Sequence, residues 1–326
     1  MDDAPLKGWN HIPPVPLKVS PFFSWPPKPL DMLAWIWNSW FLITERLIIV
    51  GIAFVSFYWF QPPLEVTKTL ALGWIAEMII RNIVLMSVVA GGLHLYFYSF
   101  TKQGKKLRYD ARPLMKNGRQ FTLGGQIRDN MFWTLASGVT VWTTYEVLMF
   151  WALANNYAPM LTWAAHPFWF VAMFALIPIW ESFYFYWIHR FLHIPFFYRH
   201  VHSHHHRNIN VGPWSGLSMH PVEHLIFLGS VLIHFLVAAH PVHILYHLQY
   251  YALTAATTHT GFEGILIKDE NRLALGTFHH QMHHRYFECN YGSLEIPWDK
   301  FFGSFHDGTN EANEKMKERR IRIMGG

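Results

Sequence analysis

The chain has 326 residues, of which 52% are hydrophobic, 17% aromatic and only 14% charged. Ordinary soluble domains carry about 25% charged residues, so this composition predicts a polytopic membrane protein rather than a soluble enzyme. The formal net charge of +5 is interpreted as membrane topology and attraction to lipid headgroups, and we expect no nucleic-acid partner. The single cysteine, Cys289, excludes an intramolecular disulfide and a cysteine zinc site.

The predicted elements begin with a proline-rich arm, residues 1–31, which we expect to extend over the protein surface. A transmembrane region follows at 32–165, then a catalytic domain at 166–308 and a charged tail at 309–326. Apolar stretches of about 20 residues are needed to cross a bilayer. They occur at 32–60, 69–100, 130–155 and 167–190.

Two shorter apolar stretches, 225–239 and 242–258, hinge at His240-Pro241 and predict a re-entrant or short helical hairpin. The expected fold is therefore an all-α integral membrane protein. It has about four transmembrane helices, the short hairpin, and a cytoplasmic helical cap that holds the histidine site described below.

Basic residues orient the predicted spans. The loop 101–130, between the second and third spans, contains eight lysines and arginines, whereas the loops after the first and third spans contain only Lys68. By the positive-inside rule the basic loop is cytoplasmic. The sequence thus predicts a multi-pass protein with its N-terminus, its C-terminus and everything after His189 on the cytoplasmic side.

Histidine density is the strongest local signal, because seven of the eighteen residues from His189 to His206 are histidine. An HxxxH unit and two HxxHH units stand out: His189 and His193; His202, His205 and His206; and His280, His283 and His284. Side chains at i and i+4 share a helical face, and we expect both later histidines of HxxHH to stack over the first. Eight imidazoles are roughly twice what one tetrahedral metal accepts, so two metals are predicted.

Other histidines receive a different interpretation. Isolated residues on apolar faces, His94, His234 and His247, are expected to be hydrogen-bonded core residues. His200, His204 and His279 fall outside the best register, and we expect them around the site or on the surface.

The order HRFLH, HSHHH and HQMHH, with segments such as HPVE at 220–223 and WDKFFG at 298–303, resembles the fatty acid hydroxylase and sterol desaturase superfamily. Members of this superfamily are membrane-bound histidine-box diiron oxygenases. The resemblance covers residues 180–308 and is to the sterol desaturase-like branch. The resemblance implies an enzyme, an O2-dependent oxidoreductase that hydroxylates or desaturates a lipid of sterol or fatty acyl type.

The resemblance also implies a site. The eight histidines of the three units would be the catalytic residues and the ligands of two iron ions, with O2 as co-substrate. His259 would be a ninth ligand, and His220 either a further ligand or a residue that orients one. Glu223 and Asp299 would accept the outer N–H of ligand imidazoles, or else serve as headgroup-region charges or loop caps. Electrons would come from a separate protein of haem, flavin or iron–sulfur type.

Three alternatives stay open or are disfavoured. A metal transporter would place ligands near mid-membrane, which these units do not. A membrane zinc hydrolase, or a non-catalytic metal- or lipid-binding membrane protein, is the remaining alternative to the oxygenase.

The first two predicted spans contain charged residues. They suggest an interhelical pairing of Glu45 and Arg46 with Glu77 and Arg81. The aromatic run at 180–187 is either the wall of an apolar tunnel or simply lipid-facing or core packing.

Overall fold

Long apolar runs form the main helices of the protein, whose computed structural model describes residues 8–41 and 44–324. The helices are α1 Pro29–Ile36, α2 Glu45–Trp59, α3 Leu72–Ser99, α4 Gln126–Trp133, α5 Val139–Ala154, α6 Pro167–Leu192, α7 Pro195–Phe197, α8 Ser203–His206, α9 Pro221–Leu228, α10 Pro241–Thr258, α11 Phe278–Tyr286, α12 Trp298–Phe301 and α13 Asn310–Met324. Wider or tighter helical turns extend α1 to Phe41, α4 to Gly138 and α9 to Phe235, and another covers Tyr198–His202.

Three helical stretches are long and apolar enough to cross a membrane: Pro29–Trp59, which contains the undescribed residues 42 and 43, Leu72–Ser99 and Pro167–Leu192. They correspond to three of the four predicted spans. The fourth prediction, 130–155, falls on α4 and α5, which are helical but do not meet the same criterion of length and apolar composition. Its Trp142, Glu146 and Met149 are fully buried in the bundle. A membrane protein with three such stretches is what the described residues support.

Helix α10 is the core of the bundle, with 15 of its 18 residues buried. Its Gln249 donates to Ser56 of α2 (2.9 Å), and its His243 lies 3.0 Å from the carbonyl oxygen of Phe170 at the start of α6. The start of α10 also meets the end of α2 (His240 and Phe57), and its end meets the start of α2 (Thr257 and Glu45), so these two helices are antiparallel. Farther along both chains Tyr251 meets Phe185, so α10 is parallel to α6. Both α6 and α10 end at the same side of the bundle, and this is the side where the histidines meet.

Charged residues within the bundle pair differently from the prediction. Arg81 binds the fully buried carboxylate of Glu146, while Arg46 binds Glu295, so the expected pairing of Glu45/Arg46 with Glu77/Arg81 is wrong. Glu77 is exposed on α3. The partner of Arg81 lies on α5, and the sequence pattern alone did not place α5 against α3.

A cap covers the end of the bundle where α6 and α10 finish. The all-α prediction is wrong here in one respect, because the cap contains an antiparallel hairpin of β1 Gly264–Ile267 and β2 Glu270–Ala274. Its two turn residues, Lys268 and Asp269, both have positive φ, the conformation of a tight hairpin turn. The turn lacks the Asn-Gly or Asp-Gly pair that usually marks a tight hairpin, so this hairpin was not predicted.

The N-terminal arm and the basic loop both lie on this cap. The backbone of Leu17 donates to Asp307 (2.7 Å), and Trp9 packs on Phe278 of α11 with ring centroids 4.9 Å apart. From the basic loop, Tyr109 donates its backbone N–H to Gly261 (3.0 Å), and Lys106 pairs with Asp269 of the hairpin. The basic loop and the histidines are therefore on the same side of the bundle.

Candidate metal centre

The three histidine units are carried on separate short elements that meet at the cap. His189 lies in the last turn of α6, and His193 is the first residue after the end of that helix. The second unit begins at His202, in the turn before α8, and continues through α8. The third unit lies on α11, whose first turn is fixed by Thr277, the side chain of which accepts the backbone N–H of His280. His259 is the residue that ends α10.

Nine histidines converge in two clusters, with the candidate ligand atoms of each cluster within 4.8 Å of one another. The first cluster contains His189, His193, His202, His206 and His283. The second cluster contains His205, His259, His280 and His284. The clusters adjoin, since the rings of His206 and His284 are 4.9 Å apart.

The two HxxHH units are divided between the clusters in a reciprocal way. The i,i+4 pair of the second unit, His202 and His206, enters the first cluster, and its middle histidine, His205, enters the second. The third unit does the reverse, with His283 in the first cluster and its i,i+4 pair in the second. The expectation that all three residues of one HxxHH unit stack together is therefore wrong, because i+3 and i+4 diverge enough around a helix to face different centres.

Hydrogen bonds at the outer ring nitrogens fix which nitrogen carries the proton. Nδ1 of His189, His283 and His259 each lies 2.7 Å from a backbone carbonyl oxygen, those of Tyr291, Cys289 and Ala255 respectively. A carbonyl oxygen only accepts, so Nδ1 is the donor and Nε2 of each neutral ring bears a bare lone pair.

The bare Nε2 of His259 faces three other ring nitrogens. In the second cluster, it is 3.3, 3.0 and 3.1 Å from Nε2 of His205, His284 and His280. Its single lone pair can accept only one hydrogen, so hydrogen bonds do not account for all three contacts, and their convergence in a buried space fits a cation between them. With metal–nitrogen distances of about 2.1 Å, neighbouring ligands stand roughly 3.0–3.4 Å apart, so the spacing fits a metal ion.

The first cluster has the same character. Nε2 of His189 is 3.1 Å from that of His202, and Nε2 of His206 is 3.0 Å from that of His283. Nε2 of His193 is buried without a hydrogen-bond partner among the described residues. Imidazole donors suit iron, zinc, copper and nickel, so the residues fit a pair of transition-metal ions without selecting one element.

Burial keeps these imidazoles neutral. It lowers the pKa of His259 to about 4, and it lowers the pKa values of His202, His205, His206, His280, His283 and His284 well below the usual histidine range. Neighbouring imidazoles add to the effect for each of these residues. A metal ligand must be unprotonated, so the site is ready to bind a metal near neutral pH.

Of the two carboxylates predicted beside the ligands, Glu223 bonds one directly. Its Oε1 lies 2.7 Å from Nδ1 of His202, and both side chains are buried. Burial raises the pKa of Glu223 well above its usual range. Glu223 comes from α9, so this helix reaches under the second histidine unit and orients its first ring.

Asp299 does not bond any of the nine clustered histidines, so its bonds agree with the alternative role of a loop cap and not with that of a direct imidazole partner. Its two oxygens accept the backbone N–H groups of Tyr291 and Gly292, each at 2.8 Å, and the hydroxyl of Ser304 at 2.6 Å. Asp299 therefore fixes the loop whose Tyr291 carbonyl oxygen receives the outer N–H of His189. Its nearby imidazole is His279, with Nε2 3.7 Å from Oδ2.

His220 belongs to neither cluster, so the structure does not support the prediction of a tenth ligand. Its Nδ1 accepts the backbone N–H of Val222 at 3.2 Å and thereby caps the N-terminus of α9. A His-Pro step at a helix start explains the residue without a metal. His200 is exposed, and Nε2 of His204 bonds Arg207 at 2.7 Å, in agreement with their predicted place outside the ligand set.

The backbone carbonyls of Ser218, Ala255, Cys289 and Tyr291 are functional groups that sequence reasoning missed. A carbonyl has no residue signature, and only the folded loops bring it to an imidazole. The loop after α11 depends on positive φ at Phe287 and Asn290, which reverses the chain and returns it to His283 and His189.

A cavity of about 350 Å³ opens against both clusters. His189 and His202 of the first cluster and His205, His259 and His280 of the second line it, with mainly apolar side chains making the remaining wall. This volume is within the usual range for a small-molecule site. Of the aromatic run at 180–187, Phe185 is in the lining, whereas Phe183 and Trp187 are exposed. Tyr186 is fully buried, so the run contributes to the cavity wall, to the core and to the outer surface.

In a comparison with known protein families, residues 174–304 match the model described as "Fatty acid hydroxylase". Among curated proteins, a Δ7-sterol 5(6)-desaturase of Gibberella zeae is 31% identical over 43% of this chain and 46% of its own length. A lathosterol oxidase of Rattus norvegicus is 34% identical over 37% of this chain and 40% of its own. A Δ7-sterol 5(6)-desaturase of Saccharomyces cerevisiae is 34% identical over 37% of this chain and 32% of its own length.

The matched segments span less than half the length of each of these relatives. No solved structure matches the chain. The predicted resemblance is confirmed for the part of the chain that carries the histidines.

Proposed function

Residues 174–304 belong to the fatty acid hydroxylase and sterol desaturase superfamily, and from this premise we propose that the protein is a membrane-bound non-haem diiron oxygenase. It uses O2 and two externally supplied electrons to hydroxylate or desaturate an unactivated C–H bond of a lipid of sterol or fatty acyl type. Both outcomes begin with the same hydrogen abstraction, so the proposal covers both.

The observation that carries the proposal is the convergence of buried histidine side chains in two adjoining clusters, each with its candidate ligand atoms within 4.8 Å of one another. In this assignment one iron is held by His189, His193, His202, His206 and His283, and the other by His205, His259, His280 and His284. When bound, the two irons supply reductive activation of O2 and the oxidising power to break a C–H bond. All ligands are neutral, so the positive charge of the metals is uncompensated and favours the arrival of electrons and oxygen-derived anions.

The protein's own residues orient the ligands and exclude water. Glu223 and the carbonyl groups of Tyr291, Cys289 and Ala255 hold four rings with Nε2 turned inward. The apolar wall of the cavity, which includes Phe185, Leu192 and Phe227, offers an alkyl or ring surface a matching environment beside the histidines. The names of the relatives, sterol desaturases and lathosterol oxidase, favour a sterol-type lipid.

Electrons are assigned to a separate protein of haem, flavin or iron–sulfur type, because imidazole and carboxylate side chains do not store electrons. The cytoplasmic side is the proposed location of the site and of both termini. The basic loop 101–130 packs against the cap through Tyr109 and Lys106, and the positive-inside rule assigns such a loop to the cytoplasm. The metal centre then faces the same compartment as soluble electron carriers.

Metal analysis tests the proposal first. Protein purified in detergent from iron-supplemented cells is expected to contain about two irons per chain by mass spectrometry. His205→Ala and His283→Ala, one from each cluster, should lower the iron content to less than half and abolish lipid oxidation. His94→Ala and His200→Ala, histidines outside both clusters, should change neither.

Lipid oxidation is then assayed with sterols and fatty acyl lipids under O2 with a chemical or enzymatic reductant. One tightly bound zinc with no iron, even after anaerobic purification, would contradict the oxygenase and favour the hydrolase or binding alternative. Equal loss of iron from all four variants would contradict the ligand assignment.

A further inference from the structure

The cavity contains a carboxyl group that the metal clusters do not use. Glu181 lies two helical turns before His189 on α6 and lines the cavity with a side chain only 3% exposed. Both of its carboxyl oxygens are buried and lack a hydrogen-bond partner among the described residues. A buried carboxyl group without partners is costly whether it is ionised or protonated, so its retention in an apolar bundle requires an explanation.

The neighbouring imidazole does not supply the missing hydrogen. Nε2 of His247 is 3.5 Å from Oε1 of Glu181, which is beyond a good hydrogen bond. Nδ1 of His247 lies 2.9 Å from Nε2 of His234, and its Nε2 lies 2.9 Å from the Ser230 hydroxyl. Both ring nitrogens of His247 therefore have nearer partners than Glu181.

A second unpartnered group faces the same space. Tyr251, on α10, lines the cavity, and its buried hydroxyl also lacks a hydrogen-bond partner among the described residues. Its ring is held by stacking on Phe227, with centroids 4.0 Å apart and planes 10° apart. The ring of Tyr251 faces α6 beside the carboxyl group of Glu181, with its centroid 6.5 Å from that of Phe185, which lies one helical turn after Glu181. Two unpartnered groups therefore line the same part of the cavity, next to the apolar side chains of Pro178 and Phe185.

These two groups stand at a defined distance from the metal clusters. Glu181 and His189 are eight residues apart on one helix, which corresponds to roughly 12 Å along the axis. Phe185 lies between them and contacts His189 with ring centroids 4.8 Å apart. The cavity thus has histidines at one end, an aromatic wall in the middle and an unsatisfied carboxyl–phenol pair at the other.

We propose that this pair is the anchor for a hydroxyl group of the lipid that the cavity binds. A hydroxyl both donates and accepts, so it satisfies Glu181 and Tyr251 together, whatever the protonation of the carboxyl group. An ester or a hydrocarbon has no donor to offer, and a fatty acid carboxylate would be repelled by an ionised Glu181. The ligand is therefore an apolar body with one hydroxyl, either a sterol or a long-chain alcohol.

The spacing also orients the lipid. With its hydroxyl at Glu181, the lipid extends along α6 toward the histidines, since the backbone positions of Glu181 and His189 are separated by about two helical turns. This inference rests on the proposed function, since it takes the cavity to be the site of a lipid substrate.

Binding measured apart from turnover tests the anchor. Full-length, iron-loaded protein in lipid nanodiscs is titrated with tritiated cholesterol and, separately, tritiated hexadecan-1-ol, each against its analogue lacking the hydroxyl. At least one hydroxylated lipid should bind about tenfold or more tightly than its deoxy analogue, because the analogue leaves buried polar atoms unpaired. The arm with the larger preference distinguishes a sterol from a linear alcohol.

Variants then locate the preference. Glu181→Leu, similar in size and without polar atoms, should reduce the preference to less than about twofold while binding the deoxy analogue as tightly as the wild type. Tyr251→Phe should lower the preference by about threefold and tests the same spot if Glu181→Leu fails to fold. Glu77→Leu, the matched change at an exposed glutamate of α3, should leave the preference intact.

Two results would overturn the anchor. No preference in the wild type, or an unchanged preference in both Glu181→Leu and Tyr251→Phe, would mean that water satisfies these groups. That result with two irons still bound would leave the oxygenase proposal standing. Failure of every lipid to bind iron-loaded protein would overturn the lipid cavity and with it the lipid substrate of the proposed function.

Discussion

Oε1 of Glu223 lies 2.7 Å from Nδ1 of His202, and the two side chains, from α9 and from the turn before α8, are buried together. A carboxylate that receives the outer N–H of a ligand imidazole fixes the tautomer of the ring and raises its basicity. Through this contact a carboxylate bonds directly to one of the nine clustered histidines.

We expect Glu223→Gln to weaken iron binding by about tenfold, because the amide oxygen keeps the hydrogen bond and loses the charge. Glu223→Leu should weaken it by about a hundredfold, since the outer N–H of His202 is then buried without a partner. Competition of the loaded protein with graded chelator concentrations measures both. Glu65→Gln, at an exposed glutamate on the opposite face, is the control, and equal chelator sensitivity in all three variants would contradict the role of Glu223.

Gly216 is expected to tolerate no side chain. A Cβ atom there would lie 1.8 Å from the carbonyl oxygen of Ala255 on α10, a backbone atom that cannot swing aside. Ala255 also accepts the outer N–H of His259, so Gly216→Ala should displace this ring and lower both iron content and stability. Gly73→Ala is the matched control because a Cβ at Gly73 meets nothing within 4 Å. Wild-type iron content in Gly216→Ala would show that α10 can move without cost to the site.

Removal of the buried carboxylate of Glu146 should be strongly destabilising. The carboxylate of Glu146 accepts hydrogen bonds from the side chains of Arg81 and Asn82 and from the indole N–H of Trp142, the last two at 2.8 Å. Glu146→Leu leaves the Arg81 cation buried without its partner, and we expect a loss of about 3–5 kcal/mol in the free energy of unfolding. Denaturation in detergent followed by tryptophan fluorescence measures the loss.

Two further variants separate the charge from the space it fills. The double change Arg81→Leu with Glu146→Leu should recover most of the loss, because no unpaired charge remains. Lys106→Ala, which removes one side of an exposed pair with Asp269, should have no measurable effect. A double variant as unstable as Glu146→Leu alone would contradict the electrostatic explanation.

The metal-free protein should become less stable as the pH falls from about 6.5 toward 4. Unfolded histidines titrate near 6.5, whereas burial lowers the pKa of His259 to about 4 and those of His205, His280 and His284 still further. Over this window the unfolded chain binds protons that the folded chain does not, so the free energy of unfolding decreases by up to about 1.4 kcal/mol per pH unit for each such residue.

Buried glutamates such as Glu223 and Glu146 act in the opposite direction, because their raised pKa lets the folded state take up a proton first, but the buried imidazoles with depressed pKa values are more numerous. Above pH 6.5 the histidine effect is absent. Thermal unfolding of chelator-treated protein at pH 7.5, 6 and 5 measures the trend. A midpoint that rises toward pH 5 would contradict the depressed pKa values of the clustered histidines.

The sequence was informative about which histidines meet, because regular spacing on short helices is a local property. It was uninformative about how they are divided, since the separation of His205 from His202 and His206 depends on where α10 and α11 place their own rings. Glu223 was predicted from its position after the second unit, whereas the true partners of Asp299 are backbone N–H groups of a loop with positive φ.

In the membrane-spanning helices, too, local properties were predictable from the sequence and contacts between helices were not. Apolar runs long enough to span a bilayer are visible residue by residue, and three of them were found as predicted. The pairing of Arg81 with Glu146 and the burial of α5 depend on which helices are neighbours, which hydropathy does not encode. The hairpin at 264–274 was missed because its turn uses Lys268 and Asp269 in place of the residues that usually mark such turns.

The reciprocal division of the two HxxHH units has a consequence for assembly. Each unit contributes to both clusters, so the turn that positions His205 also positions His202 and His206, and α11 positions His283 together with His280 and His284. The first ion to bind orders elements that the second ion also needs. Occupancy should therefore pass from empty to doubly loaded with few singly loaded chains, and a titration with ferrous iron should be sigmoidal.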